Sequence, residues 1–295
     1  MSQPASPHAR PKSFLCGLFG GGIGGTRSPA MHEAEGEALG LRYVYRPVDF
    51  ERLGRGASDL PAMLAGAAAF GFDGLNVTHP FKQAVIPLLD EVSDDARAIG
   101  AVNTVLFRDG RTIGHNTDWW GFAENFRRGL PGAALGRVVQ VGAGGAGAAV
   151  AHALLTLGVE ELVLHDLDAA RTAALAASLS GRFGAGRARV AGPVGDELAR
   201  ADGLVQTSPV GMQGHPGLPV PAEALRAALW VAEVIYFPLE TELLRRARAL
   251  GCRTLDGGGM AVAQAAEAFR LFSGRAADHD RMARHFASIR DARER

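Results

Sequence analysis

The sequence predicts an α/β protein with two domains, and three observations support this fold class. Apolar runs rich in β-branched and aromatic residues alternate with helical segments through residue 115, as in a mainly parallel sheet covered by helices. A G-x-G-x-x-G motif at 142–147 then lies between an apolar strand and an Ala/Leu-rich helix, as in Rossmann-type dinucleotide-binding domains. A chain of 295 residues also suits two domains of ordinary size.

The domain boundaries follow from where these patterns change. Residues 1–12, MSQPASPHARPK, are rich in Pro, Ser and polar residues and predict a disordered tail. We expect a mainly parallel α/β substrate-binding and catalytic domain from residues 13–117 together with 260–295. Residues 118–259 predict the Rossmann-type NAD-binding domain.

The elements of the first domain alternate between strand and helix. Ser28-Pro29 predicts a helix start, since Ser is a favoured N-cap and Pro a favoured first helical residue. Pro80 predicts another helix start in the same way. The predicted strands are 13–19, 43–48 and 74–78 with a hairpin of 103–107 and 112–116, and the predicted helices are 28–39, 60–70, 80–89 and 94–99.

The second domain is predicted from its own series of apolar runs. A connecting helix over 118–130 leads into it, and the closing helical segments 260–272 and 279–288 are expected to pack back on the first domain. The predicted strands are 138–141, 162–164, one near 189, 203–206, 230–235 and 253–255, and the predicted helix after the glycine motif ends at 157.

The glycine motif predicts a dinucleotide site because each glycine has a role in it. Gly142 permits the tight turn, Gly144 lets the backbone approach a pyrophosphate, and Gly147 allows close helix–strand packing. Gly145 and Ala146 begin the helix, whose free amides are expected to bind the anion.

Asp166 ends the second strand of this unit, where a carboxylate hydrogen-bonds the adenosine ribose 2′-hydroxyl. The same charge would repel the 2′-phosphate of NADP, so NAD is the expected cofactor. Arg171, at the start of the next helix, has two open roles, which are to stack on adenine or to pair with Asp166. The alternative role for Asp166 is to cap the helix that begins near Ala169.

Composition excludes several other classes of function. The chain carries 31 basic and 31 acidic residues, so its charge predicts neither a nucleic acid nor an anionic membrane as partner. Cys16 and Cys252 have no nearby ligand spacing, which argues against zinc and against a disulfide framework. No signal peptide or long apolar segment is apparent, and we expect a cytoplasmic protein with a small-molecule substrate and no metal.

Three polar clusters lie at predicted strand ends, where α/β folds place ligands. In Thr26-Arg27-Ser28-Pro29, hydroxyls beside a helix start suit a small carboxylate, although Ser28 alone is a plausible helix cap. In the segment 76–82, Lys82 suits proton transfer or is a solvated surface lysine. In the third cluster, Asn103-Thr104 with 114–118, Asp118 either caps a helix or pairs with Lys82 in acid–base chemistry without a metal.

The chain resembles the shikimate/quinate dehydrogenase family along nearly its whole length after the tail. The matching stretches occur in the family's order and with its gaps. They are TRSPAMHEAEG (26–36), GLNVTHPFKQA (74–84), GAVNTV (100–105), GHNTD (114–118), VGAGGAG (141–147), SPVGM (208–212), ETELLRRARALGC (240–252) and DGGGMAVAQAAEAF (256–269). The nearest likeness is to the NAD-preferring quinate/shikimate branch, through MHEAEG, GLNVTHPFKQA and HDLD (165–168).

The resemblance implies a role for individual residues. Lys82 and Asp118 fall on the catalytic pair, whereas His79 and His115 are supporting residues. The implied substrate-binding residues are Thr26, Ser28, Thr78, Asn103, Tyr236 and Gln264. The implied cofactor residues beyond the glycine motif and Asp166 are Thr207 and Val234, which line the cofactor, and Gly257 near the nicotinamide.

The resemblance implies an NAD-dependent dehydrogenase that interconverts shikimate or quinate and the 3-dehydro ketone. This chain has Thr26-Arg27-Ser28 where most members have Ser-x-Ser or Ser-x-Thr, and Gly25 where many have His. Both departures fall in the carboxylate pocket, so shikimate and quinate both stay open as substrates. Two other functions are an aminoshikimate-type or other cyclic hydroxy-acid dehydrogenase and an inactive NAD-binding sensor.

Overall fold

Two six-stranded sheets, each covered by helices, organise the protein. The computed structural model describes residues 12–293, so most of the predicted tail lies outside the described residues. In chain order the first elements are β1 (Ser13–Gly20), α1 (Ser28–Ala38), β2 (Arg42–Asp49), α2 (Leu60–Ala69), β3 (Gly74–Val77), β4 (Glu91–Val92), α3 (Asp94–Ile99), β5 (Thr104–Arg108), β6 (Arg111–His115) and α4 (Thr117–Gly129).

The remaining elements continue the alternation of strand and helix. They are β7 (Arg137–Val141), α5 (Gly145–Leu157), β8 (Glu161–His165), α6 (Ala169–Phe183), β9 (Ala188–Val190), α7 (Val194–Leu198), β10 (Gly203–Gln206), β11 (Trp230–Glu233), α8 (Glu242–Ala249), β12 (Arg253–Leu255), α9 (Gly257–Ser273) and α10 (His279–Arg293). No helix among the described residues is both long and apolar enough to span a bilayer.

The first unit comprises the described residues up to Val92, Val102–Gly114 and those from Ala265 onward. Its sheet has the order β2-β1-β3-β5-β6-β4. The pairs β1–β2, β1–β3 and β4–β6 are parallel and β3–β5 is antiparallel. Asp109 and Gly110 join β5 to β6 with φ values of 52° and 75°, the left-handed conformation that a tight hairpin requires.

The second unit comprises Ser93–Ala101 and His115–Gln264. Its sheet has the order β12-β11-β10-β7-β8-β9, and every adjacent pair is parallel. This is the doubly wound order of a dinucleotide-binding fold, in which the strand order reverses between β7 and β10. Ligands bind such sheets at the carboxyl ends of the strands beside this reversal.

Helix α3 groups with the second unit, whereas the sequence-based boundaries place it in the first domain. Ile99 and Ala101 are buried against Ala149 of α5. The Asp95 carboxylate also lies 3.2 Å from His152 Nε2 and 2.8 Å from an Arg182 nitrogen. These contacts are distant in the sequence, and the local pattern of strand and helix carries no sign of them.

Candidate functional site

The loop after β7 needs glycine because other backbone lies against it. Gly142 has φ of 103°, and a Cβ there would lie 2.6 Å from Thr207 Oγ1 and 2.7 Å from the Ser208 nitrogen. A Cβ on Gly147 would lie 2.4 Å from the Gly142 carbonyl oxygen. Real Cβ atoms do not approach this closely, so the structural roles predicted for both glycines agree with the geometry.

Two buried side chains hold this loop. Gln140, which has no exposed surface, donates from Nε2 to the carbonyl oxygens of Gly142 and Gly147, at 2.8 Å each. The Thr207 hydroxyl lies 2.9 Å from the carbonyl oxygens of both Val141 and Gly142. Thr207 therefore braces the loop. Gln140 is a supporting residue that could not be predicted from the sequence, because it lies inside an apolar strand.

The other side of the loop is open. At Gly144 and at Gly145, an added Cβ would meet no described atom within 4 Å. Gly144 is the N-cap of α5 and makes no side-chain cap bond, and Ala146 lies in the first turn. The first amides of a helix have no intrahelical acceptor and attract anions. Open space beside these amides fits the pyrophosphate of a dinucleotide.

Asp166 fixes the end of β8 to the glycine loop. Its Oδ2 accepts from the Ala143 amide at 2.6 Å, and its Oδ1 accepts from the Asp168 amide at 2.9 Å. Partial burial raises the pKa of the Asp166 carboxyl, but the backbone amide bonds and the charge of Arg171 together outweigh burial and hold that pKa below its ordinary value. The carboxylate is therefore negatively charged at neutral pH, and each oxygen keeps capacity for a further donor.

The alternative role for Asp166 as a helix cap is wrong. Helix α6 is capped by Asp168, whose side chain accepts from the Arg171 amide at 2.9 Å. The Arg171 guanidinium lies 3.1 Å from Asp168 Oδ2. Asp168, rather than Asp166, is therefore the ion-pair partner of Arg171, because a cap residue and the residue three positions later face the same side of the first turn.

Val234 and Gly257 meet beyond the ends of β10 and β11. The Val234 amide donates to the Gln206 carbonyl oxygen at 3.2 Å, and the Gly257 amide donates to the Ile235 carbonyl oxygen at 3.1 Å. A Cβ on Gly257 would lie 2.3 Å from the Val234 carbonyl oxygen. The two predicted cofactor residues are therefore in contact, and Tyr236 follows on the same segment with 47% of its surface exposed.

Asp118 lies in the first turn of α4 but does not cap it. The cap is Asn116, whose Oδ1 accepts from the Asp118 amide at 3.0 Å and from the Trp119 amide at 3.3 Å. The Asp118 carboxylate is therefore not engaged as the cap, although the residue is only 4% exposed. A Cβ on Gly121 would lie 2.8 Å from the Gln264 nitrogen, so α9 contacts α4 one turn after Asp118 and brings Gln264 close to it.

In the first unit, predicted substrate residues collect at one edge of the sheet. Thr26 and Ser28 follow β1, Thr78 follows β3, and Asn103 precedes β5, which runs antiparallel to β3. The Thr26 hydroxyl donates to Ser28 Oγ at 3.2 Å, and a Cβ on Gly20 would lie 2.4 Å from Thr78 Cγ2. The sheet topology therefore places all four polar side chains along the same edge.

Ser28 is not the helix cap that the sequence predicts. The N-cap position of α1 is Arg27, which makes no side-chain cap bond, and Ser28 and Pro29 are the first helical residues. The Ser28 hydroxyl instead accepts from the Thr26 hydroxyl, and the Ser28 side chain partly offsets the rise that burial causes in the pKa of Tyr45. It is therefore oriented by side chains rather than by the helix backbone.

A buried network connects Tyr45 to Asn103. The Tyr45 hydroxyl donates to Asn76 Oδ1 at 2.7 Å, and Asn76 Nδ2 donates to Thr104 Oγ1 at 3.0 Å. The Thr104 hydroxyl donates to Asn103 Oδ1 at 3.0 Å. No role was predicted for Tyr45 or Asn76; the alternation of buried and exposed residues along β2 is a sign of Tyr45, whereas β3 shows no such alternation at Asn76.

The helix predicted over 80–89 is absent from the structure. Turns and a short 3₁₀ helix, Ile86–Leu88, take its place. The reason is that the Lys82 carbonyl oxygen accepts from the Val102 amide at 2.8 Å, and a helix would need that carbonyl for its own ladder. This bond ties Lys82 to the residue next to Asn103, and the side chain of Lys82 is half-buried.

Comparison with known proteins gives concordant results. The family model described as the shikimate dehydrogenase substrate binding domain matches residues 18–105. A shikimate dehydrogenase (NADP(+)) of Streptomyces avermitilis is 58% identical over 279 residues, which cover 94% of this chain and 96% of that relative. A quinate/shikimate dehydrogenase (NAD(+)) of Corynebacterium efficiens is 52% identical over 283 residues, which cover 94% of this chain and 99% of that relative.

The chain belongs to the shikimate dehydrogenase family. A solved structure of quinate dehydrogenase from Corynebacterium glutamicum in complex with NAD matches it with a TM-score of 0.89 and 51% identity, covering 94% of this chain and 99% of that one. The predicted family and the predicted fold class are therefore confirmed. The protein is an oxidoreductase of the shikimate/quinate dehydrogenase type with a pyridine-nucleotide cofactor.

Proposed function

We propose that the protein interconverts shikimate and 3-dehydroshikimate, quinate and 3-dehydroquinate, or both, with NAD as the preferred cofactor. The observation that carries this proposal is the set of hydrogen-bonded polar side chains at this sheet edge. Thr26 donates to Ser28, and a buried network joins Tyr45 through Asn76 and Thr104 to Asn103. It orients hydroxyl and amide groups along one sheet edge, as a polyhydroxylated acid requires. Groups held in this way lose little freedom on binding, which favours affinity.

The carboxylate of the substrate is assigned to Thr26 and Ser28. Their hydroxyls lie at the start of α1, where the free amides and the helix dipole favour a negative charge. The ring hydroxyls are assigned to Thr78, Asn103, Tyr236 and Gln264. Each of these side chains both donates and accepts hydrogen bonds, which suits alcohol groups.

Lys82 and Asp118 are assigned as the acid–base pair. Oxidation of an alcohol releases the hydroxyl proton, and a nearby base must take it up. A bound pyridine nucleotide supplies the hydride acceptor. A lysine and a carboxylate exchange the proton without a metal, and Asn116 rather than Asp118 is the cap of α4. An inactive NAD-binding sensor would not need this pair.

The preference for NAD is assigned to Asp166. Its ionised carboxylate can accept from a ribose 2′-hydroxyl and would repel a 2′-phosphate. Arg171 forms an exposed ion pair with Asp168, and its charge also helps to lower the pKa of Asp166. Gly144, Gly145 and Ala146 would hold the pyrophosphate, and Val234 and Gly257 would line the nicotinamide. The names of the relatives include both NAD(+) and NADP(+), so the preference for NAD is proposed from this chain's own residues.

The test is a turnover panel of the purified protein with shikimate and quinate, each with NAD and with NADP. Formation of reduced nicotinamide is followed by absorbance. We expect turnover of at least one acid and a higher kcat/KM with NAD. No turnover of either acid, with activity on an amino-substituted or other cyclic hydroxy acid, would support the second dehydrogenase function. NAD binding without any turnover would identify a sensor.

A further inference from the structure

Arg27 lies between the two hydroxyls assigned to the carboxylate, yet its own charge is removed from solvent. The residue is only 9% exposed. Its guanidinium carbon lies 4.7 Å from the centroid of the Phe286 ring on α10, and Phe286 is itself buried at 5% exposure. A guanidinium at this distance over an aromatic face is attracted to it, and the attraction is stronger where both groups are desolvated.

Helix α10 is in turn fixed to α1. Glu35, whose side chain has no exposed surface, accepts from Arg281 Nε and Nη2, at 2.7 Å each. It also accepts from the Asp278 amide at 2.7 Å. A bidentate arginine–carboxylate pair is geometrically specific, and the added amide bond fixes the start of α10. The helix that bears Phe286 is therefore held in place independently of Arg27.

The N-cap residue of α1 does not cap the helix with its side chain. Arg27 occupies that position without a cap bond, and the Ser28 amide donates instead to the Thr26 hydroxyl oxygen at 3.3 Å. Capping side chains normally set the direction in which the chain enters a helix. Here the stacking of Arg27 on Phe286 links the entry turn to a second helix, so it is suited to that task.

We propose that Arg27 is a positioning residue for the carboxylate, and that its stacking on Phe286 fixes the turn on which Thr26 and Ser28 present their hydroxyls. The inference rests on the proposed role of Thr26 and Ser28. Through this contact α10 acts on substrate affinity from a distance. Because the carboxylate is remote from the carbon that is oxidised, a loosened turn affects substrate KM more than kcat.

The experiment compares four variants in substrate KM, cofactor KM, kcat and melting temperature, with shikimate and quinate as substrates. Phe286→Leu removes the aromatic face, and Arg27→Lys keeps the charge but loses the planar group that stacks. Each is expected to raise substrate KM by about fivefold, within the range of a cation–π contact, with kcat and cofactor KM unchanged. Phe286→Tyr keeps the ring and is expected to keep the wild-type substrate KM.

Met282→Ala is the matched control on α10. Met282 is 1% exposed, so its truncation weakens the helix without touching the aromatic face. We expect a lower melting temperature and an unchanged substrate KM. If Met282→Ala raises the substrate KM as much as Phe286→Leu does, the proposal is wrong. An unchanged substrate KM in Arg27→Lys would also overturn it. Arg27→Lys retains the charge, so it is expected to fold even if Phe286→Leu does not.

The proposed function fails in a different way. If a Thr26→Ala/Ser28→Ala double variant raises substrate KM but Arg27→Lys and Phe286→Leu do not, the carboxylate assignment stands and the positioning role of Arg27 is wrong. If the double variant leaves substrate KM unchanged, both are wrong.

Discussion

Replacing Asp166 with Asn should shift the cofactor preference toward NADP. The change removes the negative charge but keeps the size of the side chain and one oxygen that can accept from the Ala143 or Asp168 amide, which now lie 2.6 and 2.9 Å from the carboxylate. The pKa of Asp166 lies below its ordinary value, so the wild-type side chain carries a full charge in the assay.

The size of the shift follows from two effects of this charge. A hydrogen bond from a ribose hydroxyl to a charged acceptor contributes about 1.5–3 kcal/mol, so the kcat/KM for NAD should fall by about tenfold or more. Like charges about 4 Å apart near a protein surface repel by several kcal/mol, so relief of that repulsion should raise the kcat/KM for NADP. The ratio of kcat/KM for NAD to kcat/KM for NADP should therefore fall by about a hundredfold.

The assay measures kcat/KM for both cofactors with one saturating acid substrate. Asp168→Asn is the matched control, because it removes the neighbouring acid that caps α6 and pairs with Arg171. We expect that variant to lose stability without a change in cofactor ratio. A wild-type enzyme that favours NADP, or an Asp166→Asn ratio within twofold of wild type, would refute the reasoning.

Three further changes test other parts of the site and fold. The double variant Thr26→Ala/Ser28→Ala should lose at least about tenfold in substrate kcat/KM at unchanged cofactor KM, whereas a purely structural role predicts only a lower melting temperature. The hydrogen bonds from Arg189 lower the pKa of Glu197 to about 2, so Glu197 stabilises the fold above about pH 4.5 and loses that effect as the pH falls through 2. Glu197→Gln should therefore lower the free energy of unfolding at pH 7 by about 3 kcal/mol in urea titrations, and an unchanged value would exclude the ion pair as a stabilising contact. Burial raises the pKa of Glu233 to about 7, so its contribution is complete below pH 4.5 and is lost as the pH rises through 7. Denaturation of Glu233→Gln should show a smaller loss of stability between pH 5 and 8 than wild type, and equal losses would show that Glu233 does not titrate there.

The sequence was sufficient for most of the fold because its signals are local. The alternation of apolar runs with helical segments located the strands, and β10 and β12 have the predicted bounds. The glycine motif indicated a tight loop, and the structure shows the close contacts at Gly142 and Gly147 that such a loop requires. Such features depend on a few adjacent residues, which is why they can be recognised without knowledge of the tertiary structure.

The errors came from hydrogen bonds that compete with helix formation and helix capping. The Val102 amide uses the Lys82 carbonyl, which removes the predicted helix over 80–89, although Pro80 is well placed to begin one. Ser28 has the chemistry of a cap, but its hydroxyl accepts from Thr26 instead. No local pattern shows which partner a hydroxyl or carbonyl will take when several compete for it.

The most direct test of the account is the turnover of Lys82→Ala and Asp118→Asn. Both should fold, because Lys82 lies in a turn and the cap of α4 is Asn116. We expect kcat to fall by about a hundredfold or more in each, the range for a lost acid–base group, with cofactor affinity unchanged and with the exposed neighbour Gln83→Ala close to wild type. A folded Lys82→Ala variant with near wild-type kcat between pH 7 and 9 would contradict the proposed mechanism.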